Sequence, residues 1–240
     1  MNVVFGASGL ARALAYALQQ EGPTVLASRT PVVAALTWRR ACLATGEGVL
    51  SALKDATTAY VVVRPEEEVA GAGAIIKPLH VSRGLWVLES GGQQPSLPDR
   101  LPGWSTLRLG PTWGARHAWA QAWAAEVQRG RTLWVPRVNP VRVVPEDVAV
   151  AAMRAAVQRK AVRWSLPGGS PRDVAALARD LFGDVSMAMR ALPLAAWRVG
   201  MPAQDIRDMV EAPRFERETG SWTGSVGRAP MSDAAASTTS

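Results

Sequence analysis

The sequence predicts an α/β protein built on a parallel sheet that is covered on both faces. The first observation is an apolar run at 3–7 that ends near a glycine and is followed at 10–20 by strong helix formers, the order strand, turn, helix. The second is that the strand candidates at 24–28, 60–63 and 85–88 are continuous apolar runs without polar alternation. Such runs are typical of parallel strands buried on both faces.

Other elements are predicted from helix formers, capping residues and turn residues. In the first half we expect a further strand and a helix near 47–54, a helix over 66–79 and a loop over 91–103, which is rich in Gly, Gln, Pro and Ser. In the second half we expect strands at 105–109, 132–135, 140–144 and 162–166, and helices at 115–128, 148–158 and 171–182. The Ser/Thr/Ala/Gly-rich segment 221–240 is predicted to be a disordered tail.

Composition excludes several classes of protein. The chain has 240 residues, of which 48% are hydrophobic and 20% charged, enough apolar material for a sizeable core. No uncharged apolar run reaches the roughly 18 residues that a membrane-spanning helix needs, and the N-terminus has no signal-peptide pattern. The single cysteine, Cys42, excludes a disulfide framework and a zinc finger. We therefore expect a cytoplasmic protein without a membrane partner.

The charge does not indicate nucleic-acid binding. The net charge is +7, but the basic residues are scattered in ones and twos, with no block of like charges and no recognition motif. The histidines are His80 and His117, and no third ligand is spaced to complete a metal site with them. We expect neither a nucleic-acid partner nor a metal.

The glycine-containing turn that joins the first strand to the first helix is the motif that indicates a binding site. Glycines allow the backbone to approach a pyrophosphate, and the helix N-terminus supplies unpaired N–H donors. The turn has the sequence Gly6-Ala7-Ser8-Gly9 and is followed by Leu10. These residues are therefore predicted to bind the pyrophosphate of a dinucleotide.

Over residues 1–215 the chain resembles the extended and atypical short-chain dehydrogenase/reductase superfamily, the group of sugar-nucleotide epimerases and NmrA-like proteins. Four segments carry the resemblance in the family's order, at 3–14, 108–114, 141–149 and 166–178. The resemblance implies a Rossmann-type doubly wound parallel sheet with a small C-terminal α/β substrate-side lobe. It divides the chain into a dinucleotide-binding core over 1–110, with returning elements from 132–166, and a lobe over 111–220.

The end of the second strand bears on cofactor choice. Ser28 and Arg29 stand where an acidic residue would accept hydrogen bonds from an adenosine 2′-hydroxyl, and Arg29 is suited to pair with a 2′-phosphate instead. NADP(H) is therefore favoured over NAD(H). The resemblance also places Val63 and Arg64 at the cofactor. It places the turn formed by Pro111, Thr112 and Trp113 at a small-molecule substrate.

The sequence departs from the family's pattern at two places. Arg12 stands where the family has its third small residue, and it is expected either to contact a phosphate or to face solvent. The family's Tyr-x-x-x-Lys pair is also missing, because the only tyrosines, Tyr16 and Tyr60, have no lysine four residues later. The stretch between Ser90 and Leu107 is too short for the helix that normally carries that pair.

Three residues remain as catalytic candidates. Ser90 matches the family's active-site serine position at the end of a strand, and Glu89 precedes it. His117 lies where the family lines its substrate pocket, and an imidazole is suited to proton transfer near neutral pH.

Three hypotheses for the function stay open. The first is a noncanonical NADP(H)-dependent reductase or epimerase-like enzyme acting on a small organic or sugar-type substrate. The second is a catalytically inactive NADP(H)-sensing regulator of NmrA type, and the third is a scaffold protein without cofactor. The resemblance also implies a homodimer.

Overall fold

The chain is described from a computed structural model, which covers residues 1–31, 35–64, 81–89, 103–137, 140–159, 163–166 and 168–190. Several sequence predictions lie outside the described residues: the helix over 66–79, all but the last residue of the loop over 91–103, the tail over 221–240, Ser90 and His80.

The strands are β1 Asn2–Phe5, β2 Thr24–Ser28, β3 Thr37–Arg40, β4 Thr58–Val63, β5 Arg83–Leu88, β6 Ser105–Leu109, β7 Thr112–Trp113, β8 Leu133–Pro136, β9 Val144–Pro145, β10 Arg163–Leu166 and β11 Met187–Arg190. The helices are α1 Gly9–Gln19, α2 Val49–Leu53, α3 Ala118–Gln128, α4 Glu146–Val157 and α5 Val174–Phe182. None of the helices in the described part of the chain is long and apolar enough to cross a membrane.

The main sheet has seven strands in the order β10-β6-β5-β4-β1-β2-β3, and every pairing within it is parallel. The predicted parallel α/β sheet is therefore confirmed. From β1 the chain builds outward through β2 and β3, and it then returns to the other side of β1 to add β4, β5 and β6. The strand order thus reverses between β1 and β4, and in open α/β sheets ligands bind at the carboxyl ends of the strands at such a point.

Apolar layers cover both faces of this sheet. On one face α1 and α4 pack against alternate residues of the strands, including Leu85 and Leu107. On the other face α2 packs beside Trp86 and Trp104. Trp104 lies directly over Gly84, where a Cβ atom would stand 2.0 Å from the indole ring. Gly84 therefore provides the space in which Trp104 covers β5.

A third apolar cluster lies in the second half of the chain, beside two small parallel sheets, β7-β9 and β8-β11. Its centre is aromatic: the ring centroids of Trp113 and Trp119 are 4.3 Å apart, and those of Trp119 and Trp123 are 5.1 Å apart. The exact division into core and lobe stays a prediction.

The predicted strand over 140–144 is wrong, because the backbone of this segment bonds to three different partners. Val141 forms an isolated antiparallel bridge with Arg172, the Val143 carbonyl accepts from Gly169, and the Val144 N–H donates to Pro111. Only Val144–Pro145 is a strand.

Two helices begin later than predicted. The helix expected from residue 171 begins at Val174, because the backbone bridge to Val141 holds Arg172 in extended pairing. The helix expected from residue 115 begins at Ala118, because His117 has an extended backbone and stands at the N-cap position. Both differences come from contacts with distant parts of the chain, which local helix propensity does not include.

Candidate functional site

The glycine-containing turn lies at the carboxyl end of β1, where the strand order reverses. Gly6 has a φ of +138°, and a Cβ atom there would lie 2.5 Å from the Val62 carbonyl oxygen of β4. Only glycine allows this turn. Ser8 is the N-cap of α1 and accepts a hydrogen bond from the Ala11 N–H at 3.2 Å. Ala7 is exposed and Ser8 is half-buried, so this side of the turn is open.

The opposite side of the turn is covered by residues 114–117, which we call the strap. A Cβ atom on Gly9 would lie 2.8 Å from the His117 Cα and 2.9 Å from the Arg116 carbonyl oxygen. The second glycine of the turn thus allows the chain's own backbone to approach α1. Among the described residues, the open side of the turn is therefore that of Ala7 and Ser8.

Contacts with two helices hold the strap in place. The Arg116 guanidinium lies 2.6 Å from Oε1 of Glu146, the first residue of α4, and its backbone N–H donates to Oε2 of the same side chain at 3.4 Å. The Arg116 carbonyl accepts a hydrogen bond from the Arg12 guanidinium of α1 at 2.8 Å. Arg116 also lies over the ring of Tyr16, 5.3 Å from its centroid. The strap therefore ties α1 to α4.

His117 closes the strap and is almost fully buried, with 4% of its surface exposed. Its Nε2 lies 3.2 Å from Oγ1 of Thr112, and its ring stacks on Trp119 with centroids 5.7 Å apart. Burial, together with the positive charges of Arg64 and Arg12, lowers the pKa of His117 to about 4. The imidazole is therefore neutral near neutral pH.

Two predicted residues pair at the ends of the neighbouring strands β4 and β5. Val63 and Leu88 are aligned in the sheet, which places Arg64 beside Glu89. The Arg64 Nε lies 3.8 Å from Oε2 of Glu89, whose side chain is 3% exposed. Arg64 thus pairs with Glu89, and its positive charge also lowers the pKa of His117.

At the ends of β2 and β3 the predicted residues have different roles. Ser28 is buried, and its hydroxyl donates to the Thr30 carbonyl at 2.7 Å and accepts from the Trp38 indole at 2.9 Å. Arg29 is exposed beside it. Arg40 is aligned with Ser28 in the sheet and lies 3.8 Å from Glu47, with both side chains mostly exposed. This end of the sheet therefore presents arginines and no buried carboxylate among the described residues.

The residues predicted to line the substrate site are all buried. The Pro111 carbonyl accepts from Val144, Thr112 holds His117, and Trp113 belongs to the aromatic cluster. Trp113 also lines a cavity of about 420 Å³ in the second half of the chain, bordered by Asp147, Leu177 and Leu181 among others.

The tyrosines do not lie at the carboxyl edge of the sheet. Tyr16 is on α1 and lines a cavity of about 480 Å³ between α1 and α4. Tyr60 is in the middle of β4, where burial raises its pKa to about 12. Within the described ranges, no three His, Cys, Asp or Glu side chains lie close enough together to hold a metal ion.

Sequence analysis missed the contact between Arg116 and Glu146. The two residues are 30 positions apart, and no motif of the sequence contains both. The one local signal is Gly114, where a Cβ atom would lie 2.4 Å from a carboxylate oxygen of Glu146. The glycine before Arg116 is thus needed for the close packing of the strap on α4.

No protein-family model matches the sequence, and no curated protein matches it significantly. Solved structures do match in fold. They include UDP-N-acetylglucosamine 4-epimerase from Bacillus cereus, with a TM-score of 0.51 and 11% identity over 79% of this chain and 85% of that one. They also include a GalE-like L-threonine dehydrogenase from Cupriavidus necator, with a TM-score of 0.54 and 13% identity over 87% of this chain and 93% of that one. A third is the Bordetella bronchiseptica enzyme WbmH in complex with NAD+, with a TM-score of 0.51 and 12% identity over 91% of this chain and 99% of that one.

These similarities establish the class of fold. The chain has the Rossmann-like α/β fold of the short-chain dehydrogenase/reductase and epimerase enzymes, as the sequence resemblance implied. At identities this low, fold alone does not determine activity, which has to be argued from the site.

Proposed function

We propose that the chain binds NADP(H) at the carboxyl edge of its sheet and acts as a noncanonical reductase or epimerase-like enzyme on a small organic or sugar-type substrate. The observation that carries the proposal is the turn at Gly6, which excludes any side chain at the point where the strand order reverses. In support, WbmH and an Agrobacterium tumefaciens short-chain dehydrogenase/reductase of the same fold have been solved with bound NAD.

The residues of this edge suit a dinucleotide. The open side of the turn at Ala7 and Ser8 leads to the first N–H groups of α1, which have no partner within the helix and favour a pyrophosphate. Beyond β2, the exposed guanidinium of Arg29 would hold the 2′-phosphate of NADP(H), with Arg40 beside it. The hydroxyl of Ser28 would contribute less, because two partners within the protein already engage it.

Chemistry would depend on Glu89, Arg64 and His117. The nicotinamide, when bound, accepts or donates a hydride. The hydrogen bond to Thr112 fixes the orientation of His117, so that a proton would be held or moved at Nδ1. Arg64 neutralises the buried carboxylate of Glu89 and keeps it at the edge of the sheet. Ser90, next to Glu89, remains a predicted substrate contact.

A regulator that senses NADP(H) without turnover is the second candidate, and one observation favours it. With a pKa of about 4, the His117 imidazole is neutral at neutral pH. The imidazolium that would act as general acid is therefore scarcely populated. Tyr60 lies in the middle of β4, and Tyr16 lies in the cavity between α1 and α4 with its ring against the Arg116 guanidinium, so neither tyrosine stands at the end of a strand.

One experiment separates these functions. Purified protein is titrated with NADPH and NADH by nicotinamide fluorescence. NADPH consumption is then followed with a panel of aldehydes and ketones, and conversion of nucleotide sugars in the presence of NADP+ is followed by chromatography. A reductase consumes NADPH and an epimerase converts a nucleotide sugar without net consumption, and in either case we expect His117→Asn and Glu89→Gln to lower kcat while leaving the NADPH dissociation constant unchanged. Binding without turnover of any compound supports the sensor. If neither nucleotide binds, both functions are excluded and the scaffold remains.

A further inference from the structure

A cavity of about 420 Å³ lies beside the strap and α5, and we call it the α5 cavity. Its volume is within the range of sites that bind small molecules. Gly114 and Ala115 of the strap line it, whereas Arg116 and His117 pack on Gly9. None of its lining residues belongs to α1. The strap therefore separates the α5 cavity from the glycine turn.

The walls of the α5 cavity are mainly apolar. They include the buried side chains of Trp113, Val143 and Leu177 and the half-buried side chain of Leu181. The ring of Trp113 packs in turn against that of Trp119, with centroids 4.3 Å apart, so this wall is well supported. Because apolar surface is stabilised by leaving water, such walls favour a ligand with a hydrophobic body.

One carboxylate at the α5 cavity has no partner within the described part of the chain. Glu146 pairs with Arg116 at 2.6 Å, and Asp180 pairs with Arg172. Asp147, the second residue of α4, is exposed, and no hydrogen bond or ion pair joins its side chain to another described residue. The paired charges cancel, so the cavity carries the negative charge of Asp147. Charge complementarity therefore favours a cationic group on the ligand.

The cavity between α1 and α4, which Asp147 also borders, fits such a ligand less well. Its walls are alanine at three positions, Ala13, Ala17 and Ala151. The α5 cavity has tryptophan and leucine side chains instead. An apolar body therefore has more hydrophobic surface to contact in the α5 cavity.

We propose that the α5 cavity binds a small primary amine, whose apolar body contacts Trp113 and Leu181 and whose ammonium group pairs with Asp147. This site is separate from the glycine turn, so the inference goes beyond the proposed function and does not need a bound nucleotide. A bound amine would also contact Gly114 and Ala115 of the strap.

The test uses two probes that differ in charge alone. The wild-type protein is titrated with 2-phenylethylamine and with 2-phenylethanol, and the indole N–H signals are followed by NMR. The signal that is lost in Trp113→Phe belongs to Trp113. We expect the amine to shift this signal saturably, with a dissociation constant of about 1 mM or lower. The alcohol is expected to bind about tenfold more weakly, because it cannot form the charged pair.

Two pairs of variants test the two parts of the site. Asp147→Asn is expected to weaken the amine about tenfold and to leave the alcohol unchanged. Asp184→Asn is the matched control, since Asp184 is also exposed and does not line the cavity. Leu181→Trp fills the cavity and is expected to abolish binding of both probes. Leu50→Trp, at an exposed position of α2, is its control and is expected to change neither.

Three results would overturn the proposal. The first is that the amine does not shift the Trp113 signal of the wild type, and the second is that amine and alcohol bind equally. The third is that Asp147→Asn and Asp184→Asn weaken the amine equally, because the effect would then be one of net charge. If Leu181→Trp does not fold, the two asparagine variants decide, since both replace exposed side chains.

Discussion

The backbone of His117 packs directly on Gly9: a methyl group on residue 9 would lie 2.8 Å from the His117 Cα and 2.9 Å from its backbone nitrogen. This contact joins the first turn of α1 to the strap that leads into α3. A substitution at Gly9 is therefore expected to displace the strap, and a change in the strap is expected to alter the first turn of α1.

Gly9→Ala is expected to destabilise the protein by about 1–3 kcal/mol, because the atoms in the way belong to backbone and cannot rotate aside. The measurement is the free energy of unfolding in urea. Gly22→Ala is the matched control, since no atom lies within 4 Å of a Cβ atom placed there. Similar effects of the two substitutions would show that the strap does not pack on α1.

His117 predicts a pH dependence of stability. Its pKa is lowered from 6.5 to about 4, so the unfolded chain binds a proton more readily than the folded one between these values. The contribution of His117 to the free energy of unfolding is therefore fully present above pH 6.5. It is lost as the pH falls toward 4, by up to about 3 kcal/mol. We expect His117→Gln to remove this component of the unfolding free energy, with His80→Gln as the control. An NMR titration of the His117 imidazole with an ordinary midpoint would contradict the prediction.

The Arg116–Glu146 pair is expected to contribute modestly to stability, because the Arg116 side chain is 46% exposed. A double-mutant cycle of Arg116→Met and Glu146→Gln should give a coupling energy of about 1 kcal/mol. The exposed pair Glu126–Arg129 on α3 is the control and should give about 0.3–0.5 kcal/mol. A coupling no larger than in the control would mean that the pair does not hold the strap.

Arg29→Ala is expected to weaken NADPH binding by about tenfold or more and to leave NADH binding unchanged, since only NADPH has a 2′-phosphate. Titration of the variant with both nucleotides checks this. Arg131→Ala is the control, because Arg131 is also exposed and pairs with Glu126 at the end of α3. If Arg29→Ala lowers the affinity for NADPH and NADH equally, Arg29 does not contact the 2′-phosphate.

The inner strands of the sheet were predictable from sequence, and its edge was not. β1, β2, β4 and β5 are buried on both faces, so their apolar runs are visible in the sequence. β3 has the sequence Thr-Trp-Arg-Arg with an exposed or half-buried pattern, and it forms the edge of the sheet. Its pairing with β2, rather than its own composition, makes it a strand.

In the candidate site, too, local features were predictable from the sequence and contacts between distant residues were not. The glycine turn is contiguous, so its residues and their order predicted it. The strap depends on pairs far apart in the chain, since Arg12 and Arg116 are separated by 104 residues and Arg116 and Glu146 by 30. No local pattern predicts such contacts, and the sequence alone therefore predicts either a phosphate contact or a solvent-facing role for Arg12.

The central claim is that the turn at Gly6 binds NADP(H), and calorimetric titration of the wild-type protein with NADPH tests it most directly. We predict saturable binding of one NADPH per chain, tighter than that of NADH. Absence of a binding signal for either nucleotide from folded protein would contradict the account.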